Sequence, residues 1–154
     1  MIRLFTLLFL VISLFVATSC SSMDIIDCPY IVAENSVEIG EKTGAYDFAG
    51  ANFTLYNDSA KDISSFTVSF LVYDSDGQNP FIGSNCIVKR FDAPIPAQTK
   101  ADFCVSLDSY LSRVPKETFI LDFFYVKKIS YADGSEWSDP FGMHAASEGT
   151  AHED

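Results

Sequence analysis

Two stretches of this chain bring carboxylates close enough in sequence to act together, Asp74-Ser-Asp76-Gly77-Gln-Asn79 and Asp133-Gly-Ser-Glu136-Trp-Ser-Asp139. Oxygen ligands on a tight turn suit Ca²⁺, but the first stretch has no Glu at the twelfth loop position and the second lacks acids at alternate positions. Carboxylate pairs also cleave glycosides when held about 5 to 10 Å apart, and Asp74, Asp76, Asp133 and Glu136 would be the residues to do it. Asp-Gly is equally the mark of a hairpin turn, where both residues accept unusual backbone angles. Other chemistry has less to work with. The two histidines, His144 and His152, lie in a small, polar, acidic C-terminal stretch with nothing to hold a tautomer, so neither a Ser/His/Asp nor a Cys/His site is expected. Neither a Gly-rich phosphate loop nor a CxxC pair occurs, which argues against nucleotide, zinc and thioredoxin-like chemistry. The expectation is a chain with no catalytic residues, no cofactor and no metal site.

The elements that must position these residues read as strands, because the apolar pattern repeats every two residues. Ala51-Asn-Phe53-Thr-Leu55-Tyr56 alternates, and Phe66, Val68, Phe70 and Val72 share one face of the next run. Further β-rich runs cover 30–39, 86–91, 101–107 and 119–131, with turn signals at Asn57-Asp-Ser, Asp76-Gly77, Pro94-Ile-Pro96 and Asp133-Gly134. Short strands at such spacing predict an all-β, antiparallel β-sandwich of about six to seven strands. Segment 108–114 reads as at most one short helix, capped by Asp108 and stopped by Pro115.

The 154 residues are 48% hydrophobic and 14% aromatic, the composition of a folded globule and one domain's worth of chain. Ten Lys and Arg against 21 Asp and Glu give a formal charge of −11. Residues 1–19 carry only Arg3, so the remainder has nine against 21, or −12. Such a surface repels phosphate backbones, and no nucleic-acid partner is expected.

Residues 1–19 predict a secretory signal peptide: Met1-Ile2-Arg3 is a short positive start, and 4–17 is a largely apolar run too short to span a bilayer. The run ends Val16-Ala17-Thr18-Ser19-Cys20, which resembles the lipobox of bacterial lipoproteins, with Ala17 where Leu is commonest. The resemblance implies a diacylglyceryl thioether on Cys20, which becomes the new N-terminus; ordinary cleavage after Ser19 is the alternative. Lipidation would make Cys20 the contact with the membrane, residues 20–28 a tether, 29–142 the sandwich domain and 143–154 a disordered acidic tail. The expected location is then the bacterial cell envelope, lipid-anchored on the periplasmic or surface side.

Within the domain, Phe53-Thr-Leu55-Tyr56-Asn57, the strand Phe66 to Tyr73, and Asp74-Ser-Asp76-Gly77 together resemble the FxLYD-type immunoglobulin-like domain of prokaryotic envelope lipoproteins. Asn57 stands where the motif has Asp. The resemblance covers less than half of the chain and implies an immunoglobulin-like sandwich without known chemistry.

Two further expectations concern particular side chains. With Cys20 lipidated, Cys28, Cys86 and Cys104 remain, and a symmetric hairpin centred on Ile95 would set Cys86 opposite Cys104, within reach of a disulfide, leaving Cys28 over. The alternative is that all three are small buried hydrophobes. Ile120-Leu-Asp-Phe123-Phe124-Tyr125-Val126 is apolar on both faces: either a central strand, or a strand presenting Ile120, Phe124 and Val126, with Tyr131 and Trp137, as a patch for an envelope protein or glycan. The function expected from all of this is a non-catalytic binding or scaffold module held in the envelope. The competing readings are a carbohydrate- or metal-binding accessory protein, or a carboxylate-based glycan-cleaving enzyme.

Overall fold

The structure, a computed structural model, describes residues 27–111, 113–115 and 117–146. The predicted signal peptide, Cys20 and residues 147–154 lie outside the described residues.

Seven strands form two antiparallel sheets: β1 (Tyr30–Lys42), β2 (Ala45–Asn57), β3 (Ile63–Tyr73), β4 (Cys86–Phe91), β5 (Lys100–Ser106), β6 (Ile120–Tyr131) and β7 (Glu136–Ser138). One sheet has the order β1-β2-β5 and the other β4-β3-β6-β7. The chain crosses between sheets after β2, β4 and β5, which makes the β-sandwich a Greek key. β7 is too short to carry a period-two signal and is read from sequence only as part of a turn.

Alternation along each strand turns one face inward, and phenylalanine fills the space between the sheets. Phe53 of β2 lies opposite Phe103 of β5, and Phe66 of β3 opposite Phe91 of β4. The members of each pair stack, with ring centroids 5.4 and 5.1 Å apart, and Phe66 meets Phe103 edge-on across the core at 4.9 Å. Each ring fully withdrawn from water contributes about 1.5 to 3 kcal/mol, and aromatic geometry adds to that.

Segment 92–99, expected to be the tip of a β4–β5 hairpin, instead passes from one sheet to the other. Ile95 is the reason: an apolar residue at a hairpin tip would sit in water, whereas here it is fully buried and exchanges backbone hydrogen bonds with Ile63 (2.9 and 3.1 Å). β4 pairs with β3, not with β5. Cys86 therefore lies opposite Leu71 and Cys104 opposite Asn52, in different sheets, and the expected Cys86–Cys104 disulfide is corrected: among the described residues both thiols, and that of Cys28, are free.

Segment 108–114 is also corrected, since no helix occurs among the described residues. The Asp108 carboxylate, expected to cap a helix, accepts instead from the Tyr46 hydroxyl and from the Ala49 N–H at 3.0 Å, tying the segment to β2. Residues 143–146, expected to belong to a disordered tail, are held in place. The Asp139 carboxylate takes the N–H groups of Phe141 (3.3 Å) and His144 (2.9 Å), and Ala146 N–H donates to the Phe124 carbonyl at 2.8 Å, so 143–146 are fastened along β6.

Candidate functional site

Strand direction separates the two acidic turns. The β3–β4 and β5–β6 connections close one end of the sandwich, while the start of β1, the β2–β3 turn, the 92–99 crossing and the β6–β7 turn close the other. Asp74 and Asp76 thus sit at the opposite end from Asp133 and Glu136, and the four carboxylates do not converge.

Each pair has a local role. Asp74 Oδ1 accepts from the N–H groups of Asp76 (3.1 Å) and Gln78 (2.7 Å), which shapes the turn. Asp133 is bound by Lys61 at 2.8 Å and by the Ser135 N–H and hydroxyl, and Glu136 by Lys128 at 2.8 Å. The hydrogen bonds from Lys61 and Ser135 hold the Asp133 carboxyl well below the usual carboxylate range, and that from Lys128 lowers Glu136. A glycosidase acid would need a raised value, so neither fits that role. No group of three or more His, Cys, Asp or Glu side chains is placed to hold a metal ion among the described residues.

At the first end the two long connections enclose a cleft of about 440 Å³. Its floor is apolar, because Phe81 bridges to Leu111 and meets Phe119 edge-on at 6.1 Å. Its rim is polar, with Asp74, Asp76, Arg113 and Glu117, and the Ser75 hydroxyl donates to Glu117 at 2.5 Å, joining the two loops. Sequence reasoning finds Asp74 and Asp76 but misses Phe81, Arg113 and Glu117, which lie in segments without periodicity and meet only through the fold.

A second, more open depression of about 410 Å³ lies on the outer face of the β1-β2-β5 sheet. Thr54 donates to Asp102 (2.6 Å) and Asn52 to Glu38 (3.1 Å) there, beside Cys104. Burial, then the carboxylates of Glu38 and Asp108, raise the Cys104 thiol, which works against a nucleophilic role.

The patch expected on β6 is not a patch. Phe124, Val126 and Tyr131 are buried, and Ile120 and Trp137 are half-buried. Bulges in β6 explain the difference: Phe123 takes a positive φ of 49°, and register shifts against β3 break the simple alternation, so Leu121, Phe124, Val126 and Ile129 all reach the core. Trp137 folds inward, edge-on to Tyr30 at 5.7 Å and beside His144, leaving its buried indole N–H without a partner among the described residues. The exposed aromatic residues of this region are Phe123 and Phe141.

No family model matches the chain, and no curated protein matches it. Among solved structures it is similar to a hypothetical protein of Peptoclostridium difficile 630, with 12% identity over 74% of this chain and 88% of that one and a TM-score of 0.55. At that identity the likeness concerns the fold alone.

Proposed function

We propose that this chain is a lipid-anchored protein of the bacterial cell envelope, built on an immunoglobulin-like sandwich and acting as a non-catalytic binding or scaffold module. The observation that carries this reading is the polarity of the domain: the described chain begins beside β1 at one end, and the cleft lined by Asp76, Phe81, Arg113 and Glu117 opens at the other. A lipid on Cys20 would leave that cleft turned towards solvent and a partner. Loops carried at one end of a rigid sandwich are where such folds bind.

Two measurements test it. Intact mass of protein extracted from membranes should show a diacylglyceryl-modified Cys20, and an unmodified N-terminus in a soluble fraction would refute the anchor. A photocrosslinker replacing Asp76 or Thr118 in intact cells should give a discrete adduct that one replacing Ser135 does not. Glycan cleavage abolished by Asp74→Ala, Asp76→Ala or Glu117→Ala would overturn the non-catalytic reading.

A further inference from the structure

Three large apolar side chains stand in solvent around one glycine. Phe141 is 80% exposed, Met143 81% and Phe123 43%. Gly142, at φ +71°, lies so close to Phe123 that a Cβ would fall 2.8 Å from its ring, so the tight turn brings Phe141 and Met143, the two neighbours of Gly142, beside Phe123 on the bulged β6. Ile31, Ile82, Val88 and Val114 are exposed singly and need no explanation, but three such side chains gathered about one turn mark a surface that is covered in use.

The location of the cluster identifies the cover. The Tyr30 hydroxyl donates to the His144 carbonyl at 3.3 Å and accepts from the Val126 N–H at 3.0 Å, so the 141–144 turn is pinned to the first residue of β1. Only the seven residues 21–27 lead from Cys20 to the described chain, which starts at Asp27. Fully extended they reach roughly 25 Å at about 3.5 Å each, so an anchored Cys20 keeps the start of β1, and the turn pinned to it, within that distance of the bilayer. The charge around the turn is less acidic than that of the molecule as a whole. The Asp139 carboxylate points inward onto backbone N–H groups, Asp122 accepts from the Phe123 N–H, Asp133 and Glu136 are paired with Lys61 and Lys128, and Lys127 adds an exposed ammonium on the same edge.

We infer that Phe123, Phe141 and Met143 insert into the boundary between headgroups and acyl chains of the membrane that holds the chain, laying the sandwich on its β7 edge and leaving the far-end cleft in water. This rests on the lipid anchor proposed above and adds a second, side-chain contact that fixes the orientation of the domain. Apolar side chains at that boundary reinforce an acyl anchor because each buried group adds to the attachment.

The test uses the lipidated full chain in vesicles of phosphatidylethanolamine and phosphatidylglycerol, with soluble Cys20→Ser protein as reference. Hydroxyl-radical footprinting should show Phe141 and Met143 about fivefold less reactive in vesicles, as expected for residues withdrawn from water, with Ile82 at the far end unchanged. Bromine-substituted lipids should quench Trp137, the single tryptophan, and Phe141→Ser/Met143→Ser protein should lose that quenching while its lipidated mass is retained. Both substitutions are at positions too exposed to affect folding.

Equal reactivity in vesicles and in solution, with the lipidated mass confirmed, overturns the docking and leaves the anchor standing. An unmodified Cys20 overturns both. Protection already present in Cys20→Ser protein without vesicles, accompanied by a dimer in sedimentation, assigns the surface to a second copy and also overturns the inference.

Discussion

Asn57 shows why a single amide atom matters at the core's edge. It is fully buried; its Nδ2 faces the carbonyls of Lys61 (2.8 Å), Ile95 (3.0 Å) and Pro96 (3.1 Å), and its Oδ1 accepts from the Ser59 N–H and hydroxyl. This one side chain holds the β2–β3 turn to the crossing between sheets. The position requires a donor, so the Asp of the FxLYD motif would here set a carboxylate against three carbonyl oxygens. Asn57→Asp should cost about 3 kcal/mol, the penalty of buried acceptors left facing one another, read as a lower urea midpoint at pH 7 with unchanged slope. The cysteines supply a second residue-scale expectation. Non-reducing peptide mapping should find no Cys86–Cys104 bond, and exposed Cys86 should alkylate in the native protein ahead of half-buried Cys28, whose thiol donates to the Tyr30 carbonyl. Alkylation of Cys104 should continue to speed up with pH beyond the ordinary thiol range, because burial and then Glu38 and Asp108 raise its thiol.

At the scale of elements, β7 and the segment after it are held by Asp139. Burial raises that carboxyl, but the N–H groups of Met143, His144 and Phe141 outweigh it and keep it below the usual carboxylate value. A group lowered in the folded state stabilises above its unfolded pKa, about 4, and that contribution is lost as pH falls through the folded value. Asp139→Ala should therefore cost about 1 to 3 kcal/mol at pH 7, the effect of removing hydrogen bonds to a charged group, with the difference from the native protein shrinking below about pH 4. Amide exchange at His144 and Ala146 should accelerate first. Gly142→Ala should cost about 1 kcal/mol or more, because its positive φ strains any Cβ and the Phe123 ring occupies the space.

For the whole molecule the excess of acid dominates. A formal charge of −11 repels itself in the compact state, and salt screens that repulsion over about 10 Å at 0.1 M. Raising NaCl from about 0.02 to about 0.3 M should raise the thermal midpoint, and a fall would place the balance in ion pairs such as Lys61–Asp133 and Lys128–Glu136 instead. The stability curve should decline in acid, since Asp108, Asp133, Glu136 and Asp139 all have lowered values in the fold: their contribution is full above the unfolded pKa, about 4, and lost as pH falls through the folded values. Urea midpoints at pH 6 and pH 3 measure it.

Much of the fold is legible in the chain itself, because strand formation is governed by local alternation. The runs at 30–39, 51–56, 66–73, 86–91, 101–107 and 119–131 each fall on a strand, with Leu107 and Phe119 one residue outside, and β4 coincides with its predicted range. The all-β sandwich class follows from those runs and the turn residues between them. Which strand pairs with which does not, because pairing is settled by where long-range burial is greatest. Ile95 between two prolines reads locally as a turn, yet it fills the end of the core and sends β5 to the other sheet, which separates Cys86 from Cys104. Bulges in β6 likewise overturn a parity argument that no local signal contradicts, burying Phe124 and Val126 and turning Phe123 outward. The cleft formed by Phe81, Arg113 and Glu117, and the gathering of Phe123, Phe141 and Met143 around Gly142, exist only in the tertiary structure. Their members are distant in sequence or lie in segments without periodicity, and only the packing of connections against the sheets brings them together.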